Sequence, residues 1–165
     1  MTPTGFITSP VFLDHETGSL HPESPERLKS ITARLEKSKI TEHLMFIEPR
    51  QAHREELELV HSRGYIDSIK SKCENNVTVL DGGDTVVSHS SYSVALQAAG
   101  GVVRAVEMIF SGEISNAFCA IRPPGHHAEK QKAMGFCVYN NIAVGAYYLL
   151  EKYNLKKVAI IDFDV

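Results

Sequence analysis

The sequence predicts an α/β domain: a parallel sheet flanked by helices. Three observations carry that expectation. Two apolar runs, Ala117–Ile121 and Lys157–Val165, have the unbroken apolar character of strands buried on both faces. Between them Val138, Ile142, Ala146 and Leu149 fall on one helical face, which makes the stretch a β-loop-α-β unit. Finally, Val94, Ala98, Val102, Ala105 and Ile109 repeat at helical spacing within Ser91–Phe110, the clearest helix of the chain.

The elements follow in order. Gly5–Phe12 reads as a short strand, and His15–Pro25 as a polar loop broken by Pro22 and Pro25. A helix then starts with Ser24 as N-cap and Pro25 at its first position, with Leu28, Ile31 and Leu35 as its apolar stripe. Leu44–Ile47 is a second short strand. Glu55–Val60 and Tyr65–Cys73 are short helices separated near Gly64, Val77–Leu80 is extended, and Asp81-Gly82-Gly83-Asp84 is a turn. Inside the long helix, Gly100-Gly101 costs roughly 1 kcal/mol per glycine relative to Ala, which points to close helix–sheet packing. After Ala117–Ile121 comes Arg122-Pro123-Pro124-Gly125-His126-His127; proline cannot continue a central strand, so a loop begins there. The next helix begins near residue 138 and leads to a final strand tipped by Asp162 and Asp164. A central strand normally feeds another element, so residues 1–165 are expected to be the N-terminal portion of one longer domain, cut at Val165.

Composition narrows the classes. The 165 residues suffice for one domain with a core, and 43% hydrophobic and 22% charged residues suit a soluble globular protein. A net charge of −3, with no long basic run, argues against direct nucleic-acid binding. Cys73, Cys119 and Cys137 form no Cys-x-x-Cys pair, which disfavours a disulfide framework or cysteine-rich zinc site and points to a reducing, cytoplasmic setting. Met1–Phe6 lacks the pattern of a signal peptide, and no apolar stretch is expected to reach membrane-spanning length.

Topology then gathers a candidate site. Parallel strands place their C-terminal ends on one edge of the sheet, which brings His126 and His127 together with Asp162 and Asp164. Adjacent histidines alone are weak evidence in a chain with eight, and a surface or packed histidine is the commoner case. A rigid Pro-Pro-Gly turn at a strand's C-terminal end raises the weight of this pair. Asp164 suits a cation such as Zn²⁺, an Asp beside a His fixes its tautomer, and a metal-activated water with a neutral His base is a hydrolytic arrangement. The bland alternative for the two acids is a solvated strand end.

Arg122-Pro123-Pro124-Gly125-His126-His127-Ala128, Gly135-Phe136-Cys137 with Asn140-Asn141, and Ile161-Asp162-Phe163-Asp164-Val165 together resemble the zinc-dependent histone deacetylase family. The style is that of class II enzymes and their bacterial deacetylase and acetylpolyamine amidohydrolase relatives. Weaker likenesses are His21-Pro22-Glu23-Ser24-Pro25-Glu26-Arg27-Leu28, His61-Ser62 with Tyr65, and Asp84-Thr85 ahead of Ser91-Tyr92. The resemblance implies an arginase/deacetylase-like fold, of which this is the N-terminal half. It implies that His127 is the general base, and that His126, held by Asp162, acts electrostatically or as proton donor. Asp164 matches the first zinc ligand, and Asp162 also matches a ligand of structural potassium. Gly135 and Phe136 match the wall of a tunnel for an acyl-lysine stem. The rim aspartate falls to Asp81, or to Asp84, because this turn is one residue longer than the family pattern.

The family's second zinc ligand lies just beyond Asp164, and its third ligand and carbonyl-polarising tyrosine lie further on. The leading expectation is therefore an amidohydrolase acting on acyl-lysine proteins or acetylated polyamines or other small molecules when complete, with residues 1–165 alone inactive. The alternative is a non-catalytic fragment or binding module that keeps only the fold. A ureohydrolase, with two manganese ions, is opposed by the Arg-Pro-Pro-Gly-His-His segment. An open strand edge would be covered by the rest of the domain or by a homo-oligomer.

Overall fold

The computed structural model describes residues 2–164. Its sheet has three strands, β1 (Thr4–Ile7), β2 (Leu44–Ile47) and β3 (Asn116–Cys119), ordered β2-β1-β3 and all parallel. Five α-helices surround it: α1 (Glu26–Glu36), α2 (Arg54–Glu58), α3 (Arg63–Glu74), α4 (Ser91–Phe110) and α5 (Asn141–Lys152). Short strands joined through helices are what the alternating periodicities specify.

Strand alternation sorts the core. Phe6 stands in register between Phe46 and Phe118; its ring meets the first edge-on at 5.4 Å and stacks on the second at 5.8 Å. It joins Phe12, Leu28, Val94 and Ala98 in one apolar cluster. On the opposite face Ile7 and Ile47 pack with Ala105, Met108 and Ile114. A third cluster joins Leu57, Ile66 and Ile69 of α2 and α3 to Ala95, Ala99 and Val103 of α4, with Tyr139 and Val144.

Helix α4 is the spine. A Cβ on Gly100 would overlap the Arg50 carbonyl, and one on Gly101 would press on Ile7 and Pro49, so the pair packs against the loop after β2 as well as the sheet. Contrary to the expectation that no stretch reaches membrane-spanning length, α4 is long and apolar enough to do so. Half of it is buried in this core, which accounts for its apolar composition.

Several boundaries move. β1 stops at Ile7 and Pro10–Asp14 forms a 3-10 turn, because Pro10 has no N–H for a ladder. α1 starts at Glu26 with no side-chain cap from its N-cap residue, Pro25. α5 starts at Asn141, not near 138; Val138 and Tyr139 are buried ahead of the Asn140 cap.

The largest correction concerns the final run. Val158–Asp164 forms no strand, and among the described residues none of its backbone groups pairs with β3. Ile161 is 84% and Phe163 89% exposed. The expected parallel neighbourhood of residues 117–121 and 158–163 is thus not formed, and Val165 lies outside the described residues. An apolar pattern records what a segment is able to bury. Ladder pairing needs a partner edge as well.

Candidate active site

The site grows from the loop after β3. Arg122, fully buried, anchors its start: Nε and Nη2 donate to the two Glu23 carboxylate oxygens at 2.7 and 2.9 Å. The remaining donors reach the carbonyls of Phe12 (2.8 Å) and His15 (2.9 Å). This bidentate fork ties the loop to the segment that carries His21 and Pro22.

Beyond the prolines, His126 and His127 lie with ring centroids 4.2 Å apart. His126 Nδ1 is 3.1 Å from Asp162 Oδ2, and its Nε2 is 3.3 Å from Asp164 Oδ2. The Asp164 N–H donates to Asp162 Oδ1 at 3.1 Å. That N–H and the neighbouring imidazole hold the Asp162 carboxyl below the usual carboxylate range. So the two acids reach the histidines although their segment is not a strand. His126, His127 and Asp164 offer ligand atoms that all lie within 4.8 Å of one another. The Asp164 carboxylate, with the two imidazoles beside it, is an oxygen donor that suits a borderline ion such as Zn²⁺.

Gly135 and Phe136 form the tip of a tight turn bridged by Met134 and Cys137. Both tip residues have positive φ, 54° and 68°, as a type I′ turn requires. For a phenylalanine this backbone is strained. It is braced by a hydrogen bond from the Phe136 N–H to Thr85 Oγ1 at 3.2 Å. The Phe136 ring meets His21 edge-on at 4.8 Å. A Cβ on Gly135 would lie 2.5 Å from His127 Cδ2, so the missing side chain makes room for the imidazole, and Gly135 itself lines the site cavity.

Asp81 turns into its own loop. Its carboxylate accepts from Gly83 N–H, Thr85 N–H and, at 2.6 Å, Thr85 Oγ1. These bonds depress its pKa strongly against the opposing effect of desolvation. Asp81 therefore braces Thr85 and, through it, Phe136, while Asp84 is the acid that lines the site cavity. That cavity, about 760 Å³, is lined by His126, His127, Phe136 and Asp164 together with Val102 and Ile142.

His21, Arg122 and Asn140 carry no site role in the sequence reading. His21 Nε2 donates to the Asp84 carbonyl at 2.9 Å, joining the two rim segments. All three sit inside family-like motifs, the one signal in the sequence that points to them.

A histone deacetylase domain model matches residues 21–165. The chain is 34% identical over 179 residues to "Histone deacetylase 5" of Arabidopsis thaliana, covering 98% of this chain and 26% of that protein. It is 35% identical to a "Probable deacetylase" of Archaeoglobus fulgidus, covering 98% of this chain and 45% of that one. It is 33% identical to human "Polyamine deacetylase HDAC10", covering 87% and 22%. Among solved structures, that of the HDA15 HD domain superposes with a TM-score of 0.84 at 31% identity, covering 93% of this chain and 44% of that chain. The chain spans less than half the length of each of these relatives.

Proposed function

We propose, from the premise that this chain belongs to the histone deacetylase family, that it carries the proton-transfer part of a zinc amidohydrolase site. The substrate is an acylated lysine-like amine, on a protein or a polyamine. The observation that carries this reading is the convergence of His126, His127 and Asp164 within 4.8 Å, with Asp162 on His126. In the reaction, water adds to the acyl carbon as the amide C–N bond breaks, giving a carboxylate and a free amine. His127 takes a proton from the attacking water. His126, oriented by Asp162, supplies a proton to the leaving nitrogen. Asp164 would hold zinc, which when bound supplies a Lewis acid for the acyl carbonyl and for water. One Asp162 oxygen stands at His126 and the other accepts from the Asp164 N–H, which supports its role on His126; no step depends on potassium. Phe136 would grip the alkyl stem and Asp84 would meet the substrate at the rim.

A catalytic zinc takes about three protein ligands, and Asp164 is the one matching ligand here. We therefore propose that residues 1–165 are one portion of a single catalytic domain and are inactive alone. The unpaired thiols of Cys73, Cys119 and Cys137 support a cytoplasmic setting. The test is turnover of an acetyl-lysine peptide and an acetylated polyamine by the full-length, zinc-loaded protein. No turnover of either, with one zinc bound per chain, sinks the proposal.

A further inference from the structure

The tandem-histidine loop is held from behind by the residues that open α5. The Asn140 side-chain amide donates to the carbonyls of His126 (3.3 Å) and Ala128 (3.0 Å), on either side of His127. Its Oδ1 accepts from the Ala143 N–H at 3.1 Å, capping the helix. This pattern fixes which end of the carboxamide is oxygen, because two carbonyls require a donor and an N–H requires an acceptor. The Asn140 N–H in turn donates to Nε2 of buried His61 at 2.9 Å. The other ring nitrogen, Nδ1, donates to the Glu129 carbonyl at 3.0 Å. Asn141 adds a second strap, its amide donating to the Pro123 carbonyl at 3.1 Å. The loop sits so close on this helix start that a Cβ on Gly125 would lie 2.5 Å from the Asn141 nitrogen.

We infer that Asn140 is a positioning residue for the His126–His127 pair: one carboxamide caps α5 and clamps the backbone around His127, setting where His126 meets Asp162 and Asp164 and where His127 stands beside them. The inference rests on the reading of those histidines as the proton-transfer groups. A helix cap alone would make Asn140 a stability residue. The clamp makes it a residue of the reaction geometry. The two roles separate chemically because capping uses the oxygen and clamping uses the NH₂.

Asn140→Asp keeps the capping oxygen, removes both donors and sets a carboxylate against two carbonyls. Asn140→Ser also caps but is too short to reach them. Both variants should be made in the full-length, zinc-loaded protein. Three readouts are compared with wild type: backbone amide exchange, the ¹⁵N imidazole signals of His126 and His127, and kcat and KM on an acetyl-lysine peptide. The melting temperature should fall by only a few degrees, for the two carbonyls left without a donor, and exchange of α5 should rise no more than that global loss explains. Exchange of residues 125–129 should rise about tenfold or more, the imidazole signals should shift, and kcat should fall about 10–100-fold with KM little changed, the penalty of a small misplacement. Uniform destabilisation without a loop-specific change would overturn the inference and leave Asn140 a cap. Faster loop exchange with unchanged kcat would overturn it too. If wild type turns over no acyl substrate, the functional reading fails by itself. The exchange and imidazole signals then decide the clamp alone, and unchanged signals refute it.

Discussion

Replacing Arg122 by Met should be among the most damaging single changes in this chain. Arg122 is fully buried and makes four hydrogen bonds, two to the Glu23 carboxylate and one each to the Phe12 and His15 carbonyls. Removing one partner of a buried pair costs about 3–5 kcal/mol, and each carbonyl left without a donor adds ~1 kcal/mol or more. Glu23 is not wholly orphaned, because Arg27 Nη2 lies 3.6 Å from one of its oxygens. A loss of about 5 kcal/mol follows, comparable to the whole stability of a small domain, or roughly 10–20 °C in melting temperature. The assay is a urea midpoint at constant slope. Arg122→Met combined with Glu23→Leu removes the stranded carboxylate and should recover about 2–3 kcal/mol of the loss. Arg122→Lys, which keeps charge but not the fork, reads the same network at smaller amplitude if the Met variant cannot be purified. A Met variant within ~1 kcal/mol of wild type, or a double variant no better than the single, would refute the reasoning.

Under the proposed function, His127→Ala in the full-length, zinc-loaded protein should lower kcat by roughly 10²–10⁴-fold, the usual contribution of a general base. Zinc content by elemental analysis should stay near normal, and loss of the metal would mean that His127 is a ligand. Phe136→Ala should cut kcat/KM about tenfold, on the scale of one lost aromatic contact, with little change in melting temperature; a core phenylalanine would instead cost about 3–5 kcal/mol of stability. Acid should destabilise the fold through its buried histidines. Burial, with Arg122 and His21 adding to it and Glu23 opposing, pushes the His15 imidazole down to about 4, and burial also lowers that of His61. Their folded values lie below the unfolded value near ~6.5. The stability from neutral His15 is therefore complete above that pH and is lost as pH falls toward about 4, by about 3 kcal/mol at ~1.4 per pH unit. Urea midpoints that do not move between pH 7.5 and 4.5 would contradict this.

Where one periodicity held an element alone, the sequence was read to the residue: α4 runs over Ser91–Phe110 and β2 over Leu44–Ile47 as expected. Errors came where apolar residues continued past a stop signal. Val11 and Phe12 extended the expected β1 through Pro10, and Val138 and Tyr139 drew α5 forward past its Asn140 cap. The tandem-histidine loop was legible because Pro-Pro-Gly ends a strand locally. The Arg122–Glu23 pair joins residues 99 positions apart, and no local pattern encodes such a partner. The Asp81–Asp84 turn carried two acids of equal promise, and only the hydrogen bonds of Thr85 decide which one is free to face the cavity.

The site divides its labour between a braced loop and a loosely held acid segment. The histidine loop is fixed at its start by Arg122, along its length by Asn140 and Asn141, and just past it by His61 on Glu129. Among the described residues the acids make their polar contacts with His126 and with each other, and the Asp164 side chain is 68% exposed. Rigid support therefore sits under the groups proposed to move protons, for which misplacement is costly. The acid side has little support among the described residues, so bound zinc would itself draw Asp164 into place. Variants of the loop clamps should then change turnover at constant metal content, whereas variants of Asp164 should change metal content first.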